Sequence, residues 1–150
     1  MSIRLSDDEA WAMIQDTRTG ILTTLRADGR PVSLPIWFVA LDRVIYTQTP
    51  AKTKKVARVQ RDPRASFLVE RGDRWIELVG VHVECTAAVE EDDEVVQRAR
   101  DALDVKYAGR GVPERGTPDA TKQRYRHSVV LSLTPTGKLL TWDNARLRLG

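Results

Sequence analysis

The chain is poor in the residues that staple, ligate or span. Its 150 residues include one cysteine, Cys85, so no internal disulfide and no multi-cysteine metal centre can form. Two histidines, His82 and His127, lie far apart with that cysteine and do not make a zinc site, so no metal is expected. Nowhere is there a run of the ~18 apolar residues that a membrane helix needs. The beginning, "MSIRLSDDEAW", lacks the apolar core of a secretory signal. With a lone cysteine, this favours a reducing cytoplasm. Net charge is only +3, too small for a dedicated nucleic-acid binder. No G-x-S-x-G elbow occurs. "GRGVPERG" at 109–116 lacks the strand–turn–helix setting of a phosphate loop and reads as a surface loop or lid.

What is present reads as one domain, 1–150, rich in strands. Ser6 and Glu9 form a capping-box pattern ahead of Ala10, Met13 and Ile14, so a short helix starts the chain, with Trp11 as a packing anchor. "GILTTL" and "VSLPIWFVAL" flank Asp28-Gly29 and predict a hairpin; "VIYTQT" follows a second tight turn. "RASFLVE" and a long "WIELVGVHVECTAAVE" predict two more strands. In the latter, Val81, Val83, Cys85, Ala87 and Val89 share one face and His82, Glu84 and Thr86 the other. Cys85 is expected buried and inert, and His82 exposed. "EEDDEVVQRARDALDVKY" predicts a helix with acids in its first turn. Residues 108–119 read as a Gly/Pro-rich loop, and "SVVLSLTP" and "KLLTWD" as a final strand pair. About seven strands with hairpin-length turns imply an antiparallel meander, best closed as a small barrel.

Charge is concentrated in one place. Between residues 52 and 64 stand Lys52, Lys54, Lys55, Arg58, Arg61 and Arg64 against Asp62. On a helix at ~100° per residue, Val56 and Val59 face inward, and Lys54, Arg58 and Arg61 form an outer stripe. Lys52 and Lys55 flank the first turn, where free backbone N–H groups and threonine hydroxyls (Thr47, Thr49, Thr53) suit a phosphate. The plain alternative is a solvated basic face.

The stretch "GILTTLRADGRPVSLPIWF … VIYTQTPAKTKKVARVQRDPRASFLVERGD … WIELVGVHVECTAAV" resembles the pyridoxamine 5'-phosphate oxidase-like superfamily, in its F420-dependent flavin/deazaflavin oxidoreductase branch. The resemblance implies a split β-barrel, mainly β with a few helices, that forms a homodimer with cofactor sites at the interface. It places Lys55 on the cofactor phosphate, with Lys52 and Lys54 in support. Thr47, Gln48 and Thr49 would run beside the phosphate and ribityl chain, and Pro35, Ile36 and Trp37 beside the ring. Trp75 and Trp142 are candidates for covering it. Here "VARVQRDP" stands where an Asn-Leu pair is common, and the tail "TWDNARL" lacks the histidine of the true oxidases' substrate site, which counts against pyridoxamine phosphate. The implied activity is hydride transfer from F420, with FMN as the alternative cofactor, to a small conjugated or nitroaromatic acceptor. No side chain is assigned as catalytic, because in such enzymes the cofactor supplies the chemistry. A non-catalytic cofactor carrier, or a haem or nucleic-acid module on the same barrel, is the competing class.

Overall fold

The computed structural model describes residues 2–111 and 116–147. The capping box forms as expected. The Ser6 hydroxyl accepts from the Glu9 amide and the Glu9 carboxylate accepts from the Ser6 amide, opening α1 (Asp7–Asp16). Then come β1 (Gly20–Leu25), β2 (Pro31–Ile36), β3 (Val39–Leu41), β4 (Val44–Pro50), α2 (Lys54–Arg61), β5 (Arg64–Arg71), β6 (Val79–Val89), α3 (Asp93–Lys106), α4 (Asp119–Arg126), β7 (Ser128–Pro135) and β8 (Leu140–Asp143). All strand pairs are antiparallel. The sheet runs β2-β1-β5-β6-β7-β4-β3, with β8 added to β6, and curls into a split barrel.

Three local expectations differ. "VSLPIWFVAL" is two strands, broken at Trp37-Phe38, because Phe38 turns into the core while Trp37 stacks outside on Tyr107. The long sixth strand starts only at Val79, since Trp75–Glu77 forms a 3-10 turn held by Arg74–Glu77 contacts. The loop expected at 108–119 gives way to α4 at Asp119, and its residues 112–115 lie outside the described ones.

The concave side of the sheet holds the larger core. Leu22, Phe38, Ile45, Phe67, Val69, Val81, Val83 and Leu133 close around Trp11 and Ile14 of α1 and Val56 and Val59 of α2. Phe38 and Phe67 meet edge to face at 4.7 Å. Gly20 makes room for this pair: a Cβ there would stand 2.2 Å from the Phe67 ring. A second core forms behind the sheet, where Ala99, Leu103 and Tyr107 pack on Val39, Tyr46 and Val130. Strand β4 separates the two, with Ile45 in the first and Tyr46 in the second. The β3–β4 turn places Asp42 and Arg43 at positive φ, the two-residue hairpin geometry that matches strand twist.

Helices α1 and α2 meet β1 and β6 from the concave, core side. The registers align Pro35, Ile21, Leu68, His82 and Leu140 in one row across the convex face. Leu140 is 58% exposed. No helix among the described residues is long and apolar enough to cross a membrane.

Candidate anion and cofactor site

Helix α2 begins against its own electrostatics. Thr53 caps it, its hydroxyl accepting from the Val56 amide. Its first turn holds no acid but two lysines, Lys54 and Lys55. The positive end of a helix favours anions, so cations there are a local conflict of the kind that marks functional sites. Lys55 is half-buried, and its Nζ stands 3.4 Å from the Thr49 Oγ1, at the long limit of a hydrogen bond. Burial, then the nearby Arg58 charge, holds its ammonium below the usual lysine range. It opens into a cavity of about 340 Å³ lined by Thr49, Pro50, Thr53, Thr121 and Arg124. A neighbouring cavity is lined by Ala51, Lys52, Ala120, Gln123, Arg124 and His127. Among the described residues no carboxylate lines either one. Hydroxyls, amides and ammonium groups that lack an acid partner suit a phosphate.

The other expected residues divide between the faces of β4. Thr47 and Thr49 face the barrel and are almost fully buried; Thr47 donates to the Trp37 carbonyl at 2.6 Å, tying β4 to the β2–β3 break. Gln48 faces the other way and donates to the Ser128 hydroxyl. It lines a separate cavity of about 420 Å³ with Trp37, Leu103, Asp104 and Tyr107. Trp37 is stacked parallel on Tyr107 at 4.3 Å. The Tyr107 hydroxyl accepts from the Phe38 amide and donates to the Arg18 carbonyl, which fixes this aromatic platform. Beside it, the Lys106 ammonium lies 3.7 Å over the Phe38 ring and donates to the Phe38 carbonyl. Burial lowers its pKa to about 8.

Pro35 is exposed on the convex face, and Ile36 is buried in the core. Lys54 is exposed. Trp75 is 57% exposed on its 3-10 turn. Trp142 lies flat on Gly80, where a Cβ would stand 2.1 Å from the indole. Gly80 is seven residues up β6 from Ala87, whose amide donates to the Pro63 carbonyl just past α2. Seven residues of extended strand span roughly 23 Å. Within one chain, then, Lys55 and Thr49 come together with Lys52 next door, while Trp75 and Trp142 belong to the far end of the barrel.

Arg58 corrects the outer-stripe reading. It is only 8% exposed, and its Nε donates at 2.9 Å to the Oγ1 of Thr24, itself 1% exposed. The helix is short and sits on β1 and β6, so the long Arg58 side chain folds inward over the β1 end rather than out to solvent. Arg61 donates to the Leu25 carbonyl close by. Cys85 is buried as expected, its thiol pushed up to about 12 by burial. His82 is partly covered by its neighbours in the convex row. No group of three or more metal-binding side chains occurs among the described residues.

Sequence reasoning missed Thr121 and Arg124, because "DATKQRYR" is short and has almost no apolar residues to carry a helical signal. The usable signals were Thr-Pro-Asp as a helix start and arginines in the last turn. Nothing in the sequence marks Tyr107 as more than the end of a helix.

Comparison with known proteins agrees with this architecture. A family model described as pyridoxamine 5'-phosphate oxidase matches residues 6–138. A conserved hypothetical protein of Mycobacterium tuberculosis, Rv2991, superimposes with a TM-score of 0.80 at 29% identity, over 99% of this chain and 94% of that one. An FAD-binding protein of Mycobacterium smegmatis gives 0.67 at 20% identity, over 91% and 94%. An F420 reductase gives 0.62 at 20%, over 84% and 92%. Haem-binding proteins also share the fold.

Proposed function

We propose that this chain, which belongs to the pyridoxamine 5'-phosphate oxidase family, binds the anionic end of a flavin-type cofactor at Lys55 and acts as an F420-dependent oxidoreductase. The observation that carries the reading is the half-buried Lys55 ammonium, which has a threonine hydroxyl and, among the described residues, no carboxylate beside it at the start of a helix. Lys52 and Arg124 add charge to the same rim. Such an environment fits a phosphate or phosphodiester, the anionic group common to FMN and F420. The bound cofactor would supply hydride chemistry for a small conjugated or nitroaromatic acceptor. The chain's own residues anchor, orient and exclude water. The Trp37–Tyr107 platform offers a rigid planar surface on the other side of β4.

The reading includes a homodimer. The convex sheet face carries a largely apolar row flanked by Arg64 and Glu84, both signs in one patch, which permits self-complementary pairing across a two-fold axis. Sedimentation equilibrium decides it, since a monomer at tens of micromolar excludes the arrangement.

The primary test is titration of the purified protein with F420 and with FMN, followed by turnover with reduced cofactor and menadione or a nitroaromatic. Lys55→Ala is expected to weaken the true cofactor by ~1.5–3 kcal/mol, the worth of a hydrogen bond to a charged group. Unchanged affinity in that variant removes the anchor. Tight binding without turnover over a broad acceptor panel makes the protein a carrier.

A further inference from the structure

Helix α3 ends at the chamber on the other side of β4 from Lys55. That cavity, about 420 Å³, is bounded by Trp37, Gln48, Leu103, Asp104, Tyr107 and Gly109, and its size is that of a small-molecule site. Among the described residues, no lysine or arginine lines it. Its wall is aromatic and rigid. Tyr107 stacks on one face of the Trp37 indole, yet Trp37 stays 42% exposed. A large ring left that open beside a cavity, and backed by a buried ring, is a surface ready for another ring. A Cβ at Gly109 or Gly111 would meet no described atom within 4 Å, so the mouth is unobstructed there.

The polar groups of the chamber favour positive charge. Asp104 is exposed, and among the described residues no ion pair engages it. The Gln48 amide nitrogen is committed to the Ser128 hydroxyl, which leaves its carbonyl oxygen as an acceptor. Leu103, Asp104 and Tyr107 stand at the C-terminal end of α3, where the aligned peptide dipoles of 14 residues place partial negative charge. The nearby cations of α3 are engaged elsewhere: Arg100 donates to the Ser128 carbonyl and Lys106 to the Phe38 carbonyl. The open face of an indole attracts a cation in its own right.

We propose that this chamber is a second ligand site, for a planar aromatic cation such as an N-alkylated heteroaromatic ring. The ring stacks against Trp37. Its charge meets Asp104, the Gln48 carbonyl and the end of α3. The site lies across β4 from Lys55 and needs no cofactor, so it stands apart from the flavin reading.

The test uses three probes of one shape at neutral pH: 1-methylquinolinium, a cation; quinoline, which is neutral; and 2-naphthoate, an anion. Affinities are measured by equilibrium dialysis for wild type, Asp104→Asn, Trp37→Leu and Lys55→Ala. The cation is expected to bind tightest and the anion weakest. Asp104→Asn should weaken the cation by about 2–5-fold, the worth of one exposed ion pair, and leave quinoline unchanged. Trp37→Leu should weaken the cation by a similar factor and abolish its quenching of tryptophan emission. Lys55→Ala should leave all three unchanged, so the fate of the flavin anchor does not decide this one. F420 and FMN should bind alongside the quinolinium. Mutual displacement assigns the chamber to the cofactor and overturns the proposal. Equal affinity for the three probes, an Asp104→Asn variant that keeps full preference for the cation, or failure of the cation to bind wild type overturns it as well.

Discussion

The pairing of Arg58 with Thr24 can be tested through stability. Thr24→Val keeps shape and strand propensity and deletes only the hydroxyl. That leaves a buried, charged Nε–H without its 2.9 Å acceptor in a region where water has little access. A hydrogen bond to a charged group contributes ~1.5–3 kcal/mol, and the loss is felt in full when the remaining partner stays buried. For a domain of this size each kcal/mol shifts the melting temperature by ~2–4 °C, so a fall of roughly 3–12 °C is expected. Thr23→Val is the control. Its hydroxyl meets Ser33 on the exposed face of the same strand, and its loss should stay within ~0.5 kcal/mol. The readout is thermal unfolding by circular dichroism, repeated at high salt, because a buried contact is screened little. A Thr24→Val variant as stable as wild type would falsify the inward placement of Arg58 and return it to the surface.

Two other outcomes follow from specific contacts. Arg146 binds the Glu9 carboxylate at 2.8 Å and draws its pKa down to about 2 from an ordinary 4.5. The folded pKa lies below the unfolded one, so this contribution is complete above pH ~4.5 and is lost as pH falls toward 2. Arg146→Gln should flatten that part of the stability–pH curve, and an unaltered curve refutes the link. Tyr107→Phe removes the acceptor of the fully buried Phe38 amide and should lower stability by ~1–3 kcal/mol, with a change in tryptophan emission as the Trp37 platform loosens. A loss below ~0.5 kcal/mol would show that the hydroxyl is dispensable.

The barrel is legible in the sequence because its signals are local: alternating Val81, Val83, Cys85 and Ala87, the Asp28-Gly29 turn, and the Ser6–Glu9 box all act within a few residues. Lys55 at the start of α2 is legible for the same reason, since capping and charge are read from adjacent letters. A helical wheel misplaces Arg58 because it describes directions around an axis and not the reach of a long side chain onto a neighbouring strand. Gln48 groups with Thr49 only by adjacency in sequence, whereas period two sends the two to opposite sides of the sheet. Helix α4 leaves little trace in the sequence because it is short and polar, and its placement on β4 comes from tertiary packing.

That period-two partition in β4 has an evolutionary consequence. One strand is a party wall between two chambers, cationic on one side and aromatic on the other. A point substitution at Gln48 can retune the aromatic chamber while the cationic one keeps its furnishings. Inserting or deleting one residue in β4 would instead exchange the tenants of both chambers at once, so drift by substitution is open to this protein where drift by length is closed.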